Sequence, residues 1–216
     1  MVEVGRQDAA PSILRALAVR TLTWFPEYGV GHFPVKASLD TYGEAYFAKY
    51  REYAATEMGR RITAARLALV NRHWGGPLID IGIGCGDFLS ARVATYGYDI
   101  NLTAVEWLHA KDLWWNPYQR PCRAASMWDV LEHIDDFPRL LEQVHDYLFV
   151  SLPVFTGPDH VLASKHYRKD EHYWYFTEAG FTRLMSGLGW KCLEKNDDET
   201  KLGRDGIGSF AFGRSS

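Results

Sequence analysis

The sequence predicts an α/β fold with a largely parallel sheet covered by helices on both faces. Short apolar runs such as Leu78–Ile81 are typical of strands that are buried on both sides. They alternate with longer segments in which apolar residues recur at helical spacing. A glycine-rich turn directly follows Leu78–Ile81, as expected where a sheet of this class binds a ligand at the carboxyl ends of its strands.

Size and composition indicate a globular protein. Of the 216 residues, 47% are apolar and 24% are charged, and the net charge of −3 provides no basic field for a duplex nucleic acid. No apolar run reaches the roughly 18 residues of a membrane span, and Met1–Ala10 is too polar for a signal peptide. The three cysteines, Cys85, Cys122 and Cys192, lack paired spacing. We therefore expect free thiols in a cytoplasmic enzyme or binding domain, without duplex or membrane partners.

The chain is predicted to divide at about residue 55. Residues 1–55 lack strong periodicity and are expected to form an irregular or partly helical cap, whereas residues 56–216 form the main domain. Aromatic residues of the cap either close one wall of the site or pack as a helix face: Tyr42, Tyr46, Phe47 and Tyr50. The first clear helix begins at Thr56 and ends at Gly75–Pro77. Its apolar stripe consists of Met58, Ile62, Ala65 and Leu69.

The second half continues the alternation. Ala124–Val130 is predicted to form a strand. The segment after Asp136 is predicted to form a helix whose apolar face contains Leu140, Leu141, Val144 and Leu148. Phe149–Leu152 is then a buried strand that Pro153 closes.

Thr177 is the expected N-cap of the next helix, and Gly187 and Gly189 mark its end. Trp190–Glu194 and Ile207–Phe212 are the expected closing strands.

The glycine-rich turn has the pattern Asp80-x-Gly82-x-Gly84-x-Gly86. Glycines allow a sharp turn and leave no side chain in the way of a ligand. A dinucleotide-binding turn has the pattern G-x-G-x-x-G, so the third glycine here comes one residue early. Asp80 would repel a pyrophosphate but suits a cationic group such as an amine. Asp99 follows a second short strand at the distance expected of a ribose-binding carboxylate. These features disfavour a nicotinamide- or flavin-dependent oxidoreductase, which remains a remote alternative.

The segment Leu78–Phe88 resembles the first motif of class I S-adenosylmethionine-dependent methyltransferases. Asp99 matches the acidic residue that ends their second strand, and Trp128–Ile134 (W-D-V-L-E-H-I) matches the fourth-strand motif of one large subgroup. The resemblance extends over residues 56–214. It implies a Rossmann-like sheet of seven mostly parallel strands, the last antiparallel, with S-adenosylmethionine as cofactor and S-adenosylhomocysteine as product.

The same resemblance implies roles for individual residues. Asp80 and the glycine turn would hold the methionine part of the cofactor, Asp99 would bridge the ribose hydroxyls, and Ile100 would lie against adenine. The full set of predicted cofactor-binding residues is Asp80, Gly82, Ile83, Gly84, Asp99, Ile100, Asn116, Trp128 and Asp129.

The third strand of this fold should lie in Lys111–Tyr118, where two tryptophans and an Asn-Pro-Tyr sequence make it short and irregular. Asn116 either caps the adenine pocket or is an ordinary loop residue. The N-P-P-Y motif of DNA amino-methyltransferases follows the fourth strand, so Asn116–Tyr118 does not match it by position. Cys85, inside the glycine turn, is expected to be a small residue that contacts the cofactor.

Methyl transfer from a sulfonium requires alignment of the acceptor, the methyl group and the sulfur, together with exclusion of water. A hydroxyl acceptor additionally requires a base. His133 follows the fourth strand and is the predicted catalytic residue, with a purely structural role in fixing the loop as the alternative.

A metal-assisted mechanism is a second alternative. Asp129, Glu132 and His133 resemble part of the metal-binding cluster of the small-RNA 3′-terminal ribose methyltransferases, although the first residue there is glutamate and a second histidine stands where this chain has Ile134. A third ligand would come from His160, His166 or His172. Because of these departures, we predict no metal ligands.

We expect a methyltransferase that acts on a small-molecule or nucleotide-like acceptor, with oxygen slightly favoured as the methylated atom. Residues 165–176 either cover the acceptor or form a solvated loop. The alternatives are a metal-assisted RNA ribose methyltransferase and a regulatory protein that binds S-adenosylmethionine without turnover.

Overall fold

The computed structural model describes residues 22–34 and 43–215. Four parallel strands form its centre in the spatial order β4-β3-β5-β6. They are β3 (Leu78–Ile81), β4 (Thr95–Tyr98), β5 (Cys122–Trp128) and β6 (Val144–Phe155). The chain proceeds from β3 to β4 on one side and then returns to β5 on the other. Ligands of such sheets bind where the strand order reverses, at the carboxyl ends of the strands.

The last strand runs antiparallel to the central strands, as the resemblance implied. β9 (Ile207–Arg214) pairs antiparallel with β6, and β8 (Trp190–Asn196) pairs antiparallel with β9. The last strand along the chain therefore lies inside the sheet, and β8 forms its margin.

A second branch of the sheet begins at the carboxyl end of β6. There β7 (Trp174–Thr177) pairs parallel with β6, and β2 (Val30–His32) and β1 (Thr23–Phe25) extend the branch antiparallel. These three strands were not predicted, because runs of three or four residues are too short to show a strand periodicity. The described residues thus form nine strands, whereas seven were expected.

Helices cover both faces. Ile79 and Ile81 of β3 pack in the cluster that contains Phe181 and Met185, whereas Leu78 packs with Leu69 and Val70 on the other face. The helices are α1 (Glu44–Ala54), α2 (Glu57–His73), α3 (Asp87–Ala91), α4 (Leu102–Ala110), α5 (Phe137–Leu141), α6 (Pro158–Ala163), α7 (Glu178–Gly187) and α8 (Asp198–Lys201). None in the described part of the chain is long and apolar enough to span a bilayer.

The two helix starts predicted at threonines are confirmed. The hydroxyl of Thr56 accepts a hydrogen bond from the backbone N–H of Gly59 at the start of α2. Thr177 accepts in the same way from Gly180 at the start of α7. Each side chain thereby satisfies a backbone donor that has no partner within its helix.

Three predictions about the sheet were wrong. Pro153 does not close the strand that contains Phe149–Leu152, because β6 continues to Phe155 and Pro153 pairs with Ile207 of β9. The helix after Asp136 ends at Leu141, and Val144 and Leu148 belong to β6. A strand buried on both faces carries apolar residues at most positions. Apolar residues four positions apart in β6 therefore matched the spacing of an amphipathic helix. The strand expected in Lys111–Tyr118 is reduced to a single parallel bridge between Trp114 and Gly97.

A network of four charged side chains fixes the region beside the carboxyl end of β5. Arg66 of α2 donates from Nε to Glu199 of α8 at 2.8 Å and from Nη2 to Asp129 at 3.1 Å. Arg204, which follows α8, pairs with Asp129 through two hydrogen bonds of 2.8 and 2.9 Å and also donates to Glu199. Glu199 is only 1% exposed. The network therefore joins the connection between β8 and β9 to α2 and to the end of β5.

We predict that Arg204→Met destabilises the chain by about 3–5 kcal/mol, because it leaves buried Glu199 and half-buried Asp129 with only the guanidinium of Arg66. The measurement is the free energy of unfolding in urea. Lys201→Met, three residues earlier, is the matched control and should change stability little, since the partners of Lys201 are exposed carboxylates. Equal effects of the two substitutions would contradict this role of the network.

Candidate active site

A pocket of about 350 Å³ lies at the carboxyl ends of β3, β4 and β5, within the size range of small-molecule sites. Predicted cofactor residues that line it are Asp80, Gly82, Ile83, Gly84, Asp99, Ile100, Trp128 and Asp129. Asn116 does not line this pocket; its side-chain oxygen instead accepts a hydrogen bond of 2.9 Å from the backbone of Tyr118 and closes a turn.

The glycine turn provides an open backbone surface in this pocket. Gly82, Gly84 and Gly86 have φ values of +74°, +58° and +79°, which side-chain-bearing residues rarely adopt. A Cβ atom at Gly82 would collide with Val130, and one at Gly86 would lie 2.7 Å from Trp107. Apart from Gly84 itself and its two chain neighbours, no residue that the structure describes has an atom within 4 Å of the position that a Cβ atom would take at Gly84. The turn therefore fits a ligand that lies directly on the backbone at Gly84.

Asp80 is a buried carboxyl group in the wall of the pocket. It is 1% exposed, and Ser126 donates a hydrogen bond of 2.6 Å to one of its oxygens. Burial raises the pKa of Asp80 to about 8, although the hydrogen bond from Ser126 acts in the opposite direction. A cationic ligand group would compensate the cost of ionising this carboxyl group.

Asp99 comes directly after β4 and holds the adjoining backbone. Its carboxylate accepts a hydrogen bond of 2.8 Å from the N–H of Asn101. Burial raises the pKa of Asp99, and backbone hydrogen bonds from Asn101, Gly84, Ile100 and Ile83 partly oppose that increase. The side chain of Ile100 is 58% exposed and offers an apolar surface at the pocket.

Asp129 links the pocket to the charged network. Its φ of +57° turns the chain sharply after β5. Burial alone would raise the pKa of Asp129, but the guanidinium groups of Arg204 and Arg66 together hold it below its ordinary value. The preceding Trp128 lies beneath Arg66, whose guanidinium carbon is 5.1 Å from a Trp128 ring centroid.

The opposite wall comes from α1. Tyr46 and Tyr50 line the pocket, and Phe47 packs in the core, so the two expected arrangements of these aromatic residues both occur. Tyr42 lies outside the described residues. Further lining residues were not predicted: Lys49, Tyr53, Thr63, Arg66 and Arg204. No local sequence signal distinguishes these residues from ordinary surface positions. Residues 165–176, the expected cover, contribute none of the lining residues.

His133 borders the pocket in the short 3₁₀ turn Leu131–His133 after β5. Burial lowers the pKa of this imidazole, so the neutral form dominates at neutral pH. The ring centroid of His172 lies 4.5 Å away. The two other histidines considered as ligands lie elsewhere: Nε2 of His166 is 2.8 Å from the carbonyl of Asp205, and Nδ1 of His160 accepts from the backbone of Thr156 at 3.1 Å.

Comparison with known proteins agrees with this architecture. The model of a family described as methyltransferase domain matches residues 50–195. The search of curated proteins gave no match.

Many solved structures share the fold. Magnesium protoporphyrin IX methyltransferase from Synechocystis PCC 6803, with bound SAH, is 14% identical, with a TM-score of 0.59 and coverage of 82% of this chain and 97% of that chain. A possible histamine N-methyltransferase from Thermotoga maritima, described as SAM-dependent, is 16% identical, with a TM-score of 0.56 and coverage of 80% and 97%. The 1,6-didemethyltoxoflavin-N1-methyltransferase of Burkholderia thailandensis is 14% identical, with a TM-score of 0.51 and coverage of 90% and 99%.

The family match covers more than half of the chain, and the parallel sheet with its antiparallel final strands is the one these structures share. The chain therefore belongs to the methyltransferase domain family and has the fold of S-adenosylmethionine-dependent methyltransferases.

Proposed function

We propose that this enzyme transfers the methyl group of S-adenosylmethionine to a small-molecule or nucleotide-like acceptor, preferentially at oxygen. The observation that carries the proposal is one pocket that contains both the open backbone at Gly84 and the carboxyl groups of Asp80 and Asp99. The named acceptors of two structural relatives, a porphyrin and a toxoflavin precursor, support a small-molecule acceptor.

The cofactor would occupy the part of the pocket formed by β3 and β4. When bound, S-adenosylmethionine supplies an electrophilic methyl group on a positively charged sulfur. Asp80 suits its ammonium group, and Asp99 suits the ribose hydroxyls, because a carboxylate accepts two hydrogen bonds. Ile83 and Ile100 offer apolar surfaces for adenine.

The acceptor would occupy the part of the pocket between α1 and His133. Tyr46 and Tyr50 lie with ring centroids 4.6 Å apart and offer aromatic surface for a flat acceptor. His133 is the imidazole at this end, and its neutral form can receive a proton from an acceptor hydroxyl. The sheet behind and α1 in front limit the access of water, which favours an in-line displacement.

The first prediction tests the cofactor. Calorimetry of the full chain should show micromolar binding of S-adenosylmethionine and S-adenosylhomocysteine and no binding of NADH. Asp99→Ala should weaken the binding of S-adenosylmethionine and of S-adenosylhomocysteine by about 1–3 kcal/mol each, since it removes a hydrogen-bonded carboxylate. Asp159→Ala, on the exposed surface of α6, is the matched control and should bind as the wild type does. A wild-type chain that binds neither S-adenosylmethionine nor S-adenosylhomocysteine would contradict the proposal.

The second prediction concerns Asp80 and pH. The pKa of Asp80 is about 8 in the folded chain and about 3.9 in an unfolded chain. Between these values the folded chain retains a proton that the unfolded chain has released, so stability falls as pH rises. Asp80→Asn removes this dependence and should gain about 2–4 kcal/mol relative to the wild type between pH 4 and pH 7.

Urea unfolding at several pH values measures this difference, and exposed Asp159→Asn should follow the wild-type curve. Parallel curves for wild type and Asp80→Asn would show that Asp80 ionises normally. Binding of S-adenosylmethionine should tighten from pH 6 to pH 8 in the wild type, because its ammonium group favours the ionised carboxylate, and should lose this pH dependence in Asp80→Asn.

The third prediction concerns turnover. Release of S-adenosylhomocysteine should be measured against pools of phenolic, hydroxyl, carboxyl and amine acceptors. For a hydroxyl acceptor, His133→Asn should lower kcat by about 10²–10⁴-fold and leave cofactor affinity unchanged. His160→Asn, outside the pocket, is the control. Cofactor binding without turnover on any pool would favour the regulatory alternative.

A further inference from the structure

Glu132, His133 and His172 form a compact cluster at the edge of the pocket. Each offers a ligand atom, and the three atoms lie within 4.8 Å of one another. The backbone N–H of Tyr173 donates to the carbonyl of Glu132 at 2.8 Å and joins the 3₁₀ turn to the start of β7. Main-chain pairing between Glu132 and Tyr173 thus holds together two segments that are distant along the chain.

The carboxyl group of Glu132 lacks the donors that a buried acid requires. Glu132 is 1% exposed, and within the described residues neither of its side-chain oxygens accepts a hydrogen bond. Burial and then the nearby carboxylate of Asp129 raise its pKa well above the ordinary value. Such a group is costly to bury unless a cation or a donor compensates it.

The imidazoles beside it are suited to bind a cation. Imidazole nitrogen is a preferred ligand of divalent transition metals, and the ring centroids of His133 and His172 lie 4.5 Å apart with the ring planes at 80°. The ring of His133 is also hydrogen-bonded to the backbone of Glu171. Metal-bound histidines commonly use one ring nitrogen in this way and present the other to the metal.

We propose that Glu132, His133 and His172 bind one divalent transition-metal ion beside the acceptor end of the pocket. Two imidazoles and one carboxylate favour Zn²⁺, Co²⁺, Mn²⁺ or Fe²⁺ over Mg²⁺ and Ca²⁺, which prefer oxygen ligands. Three protein ligands leave positions open for water or substrate. This proposal departs from the sequence-based prediction of no metal, in which His172 was one of three candidates without a distinguishing feature.

Binding of the ion does not rest on the proposed function, but its role in catalysis does. His133 lines the pocket, so an acceptor hydroxyl can reach the open coordination position. Coordination would lower the pKa of that hydroxyl, whose proton then leaves to water. The acceptor oxygen forms a bond to the methyl carbon, the carbon–sulfur bond breaks, and its electron pair stays on sulfur as S-adenosylhomocysteine departs. In this arrangement His133 is a ligand, and the ion replaces the base.

The experiment uses the full chain after a chelator has removed its metal. The chain is titrated with Co²⁺, and binding is followed by visible absorption. Zn²⁺ serves as the competitor and Mg²⁺ as the comparison. We expect one Co²⁺ per chain and displacement by Zn²⁺. Glu132→Gln and His172→Gln should each weaken Co²⁺ binding by about 100-fold or more. Loss of a group that only orients a metal ligand already weakens metal binding by about 10–100-fold, and loss of the ligand itself should cost at least as much. His160→Gln, outside the cluster, should bind as the wild type does.

Cofactor binding, measured in every variant, reports whether the fold and the proposed function survive independently of the metal. In the wild type, Co²⁺ should shift the ring resonances of two of the eight histidines strongly, a result that requires no variant to fold. Substoichiometric Co²⁺, unchanged affinity in both ligand variants, or an equal loss in His160→Gln would overturn the site. Turnover on a hydroxyl acceptor that survives complete metal removal would overturn its catalytic role.

Discussion

Burial of negative charge at one edge of the sheet is the constraint on which this site depends. Asp80, Asp129, Glu132 and Glu199 lie together there, and two guanidinium groups, those of Arg66 and Arg204, pair with Asp129 and Glu199. No ion pair within the described residues involves Asp80 or Glu132, and burial raises the pKa of both. Two of these carboxyl groups are thus paired with the protein's own guanidinium groups, and the other two have no ion-pair partner among the described residues.

The two carboxyl groups without an ion pair in the described part of the chain lie at the two proposed binding sites of the pocket. Asp80 lies beside the glycine turn, where a cofactor with an ammonium group is proposed to bind. Glu132 lies beside His133, where an acceptor is proposed to bind. Because the carboxyl ends of neighbouring parallel strands meet at one edge, residues that follow β3 and β5 are close in space although about 50 positions apart. A single architectural feature therefore accounts for both the cofactor end and the acceptor end.

Much of the cofactor end could be predicted from sequence because its signals are local. A buried strand, a glycine turn and a carboxylate after the next strand occupy about 20 consecutive residues, and each of the three contributes residues to the lining of the pocket. The acceptor end depends on pairing between distant segments. Arg204 reaches Asp129 from the turn between the last two strands, and β7 is only four residues long. Neither produces a periodicity, so neither the arginine network nor the selection of His172 over His160 and His166 was predictable.

The position of β9 has a consequence for how the enzyme forms in the cell. β9 is synthesised after the other eight described strands, yet it pairs along seven residues of β6 and separates that strand from β8. Until it emerges from the ribosome, the edge of β6 along residues 147–153 has no strand partner, and the connection that carries Arg204 has no fixed place against α2. A nascent chain can form the glycine turn early, since those contacts are local. The pocket becomes complete only after β9 has been synthesised. Chains that have not reached that point expose an unpaired β6 edge, which can pair with the strands of other chains.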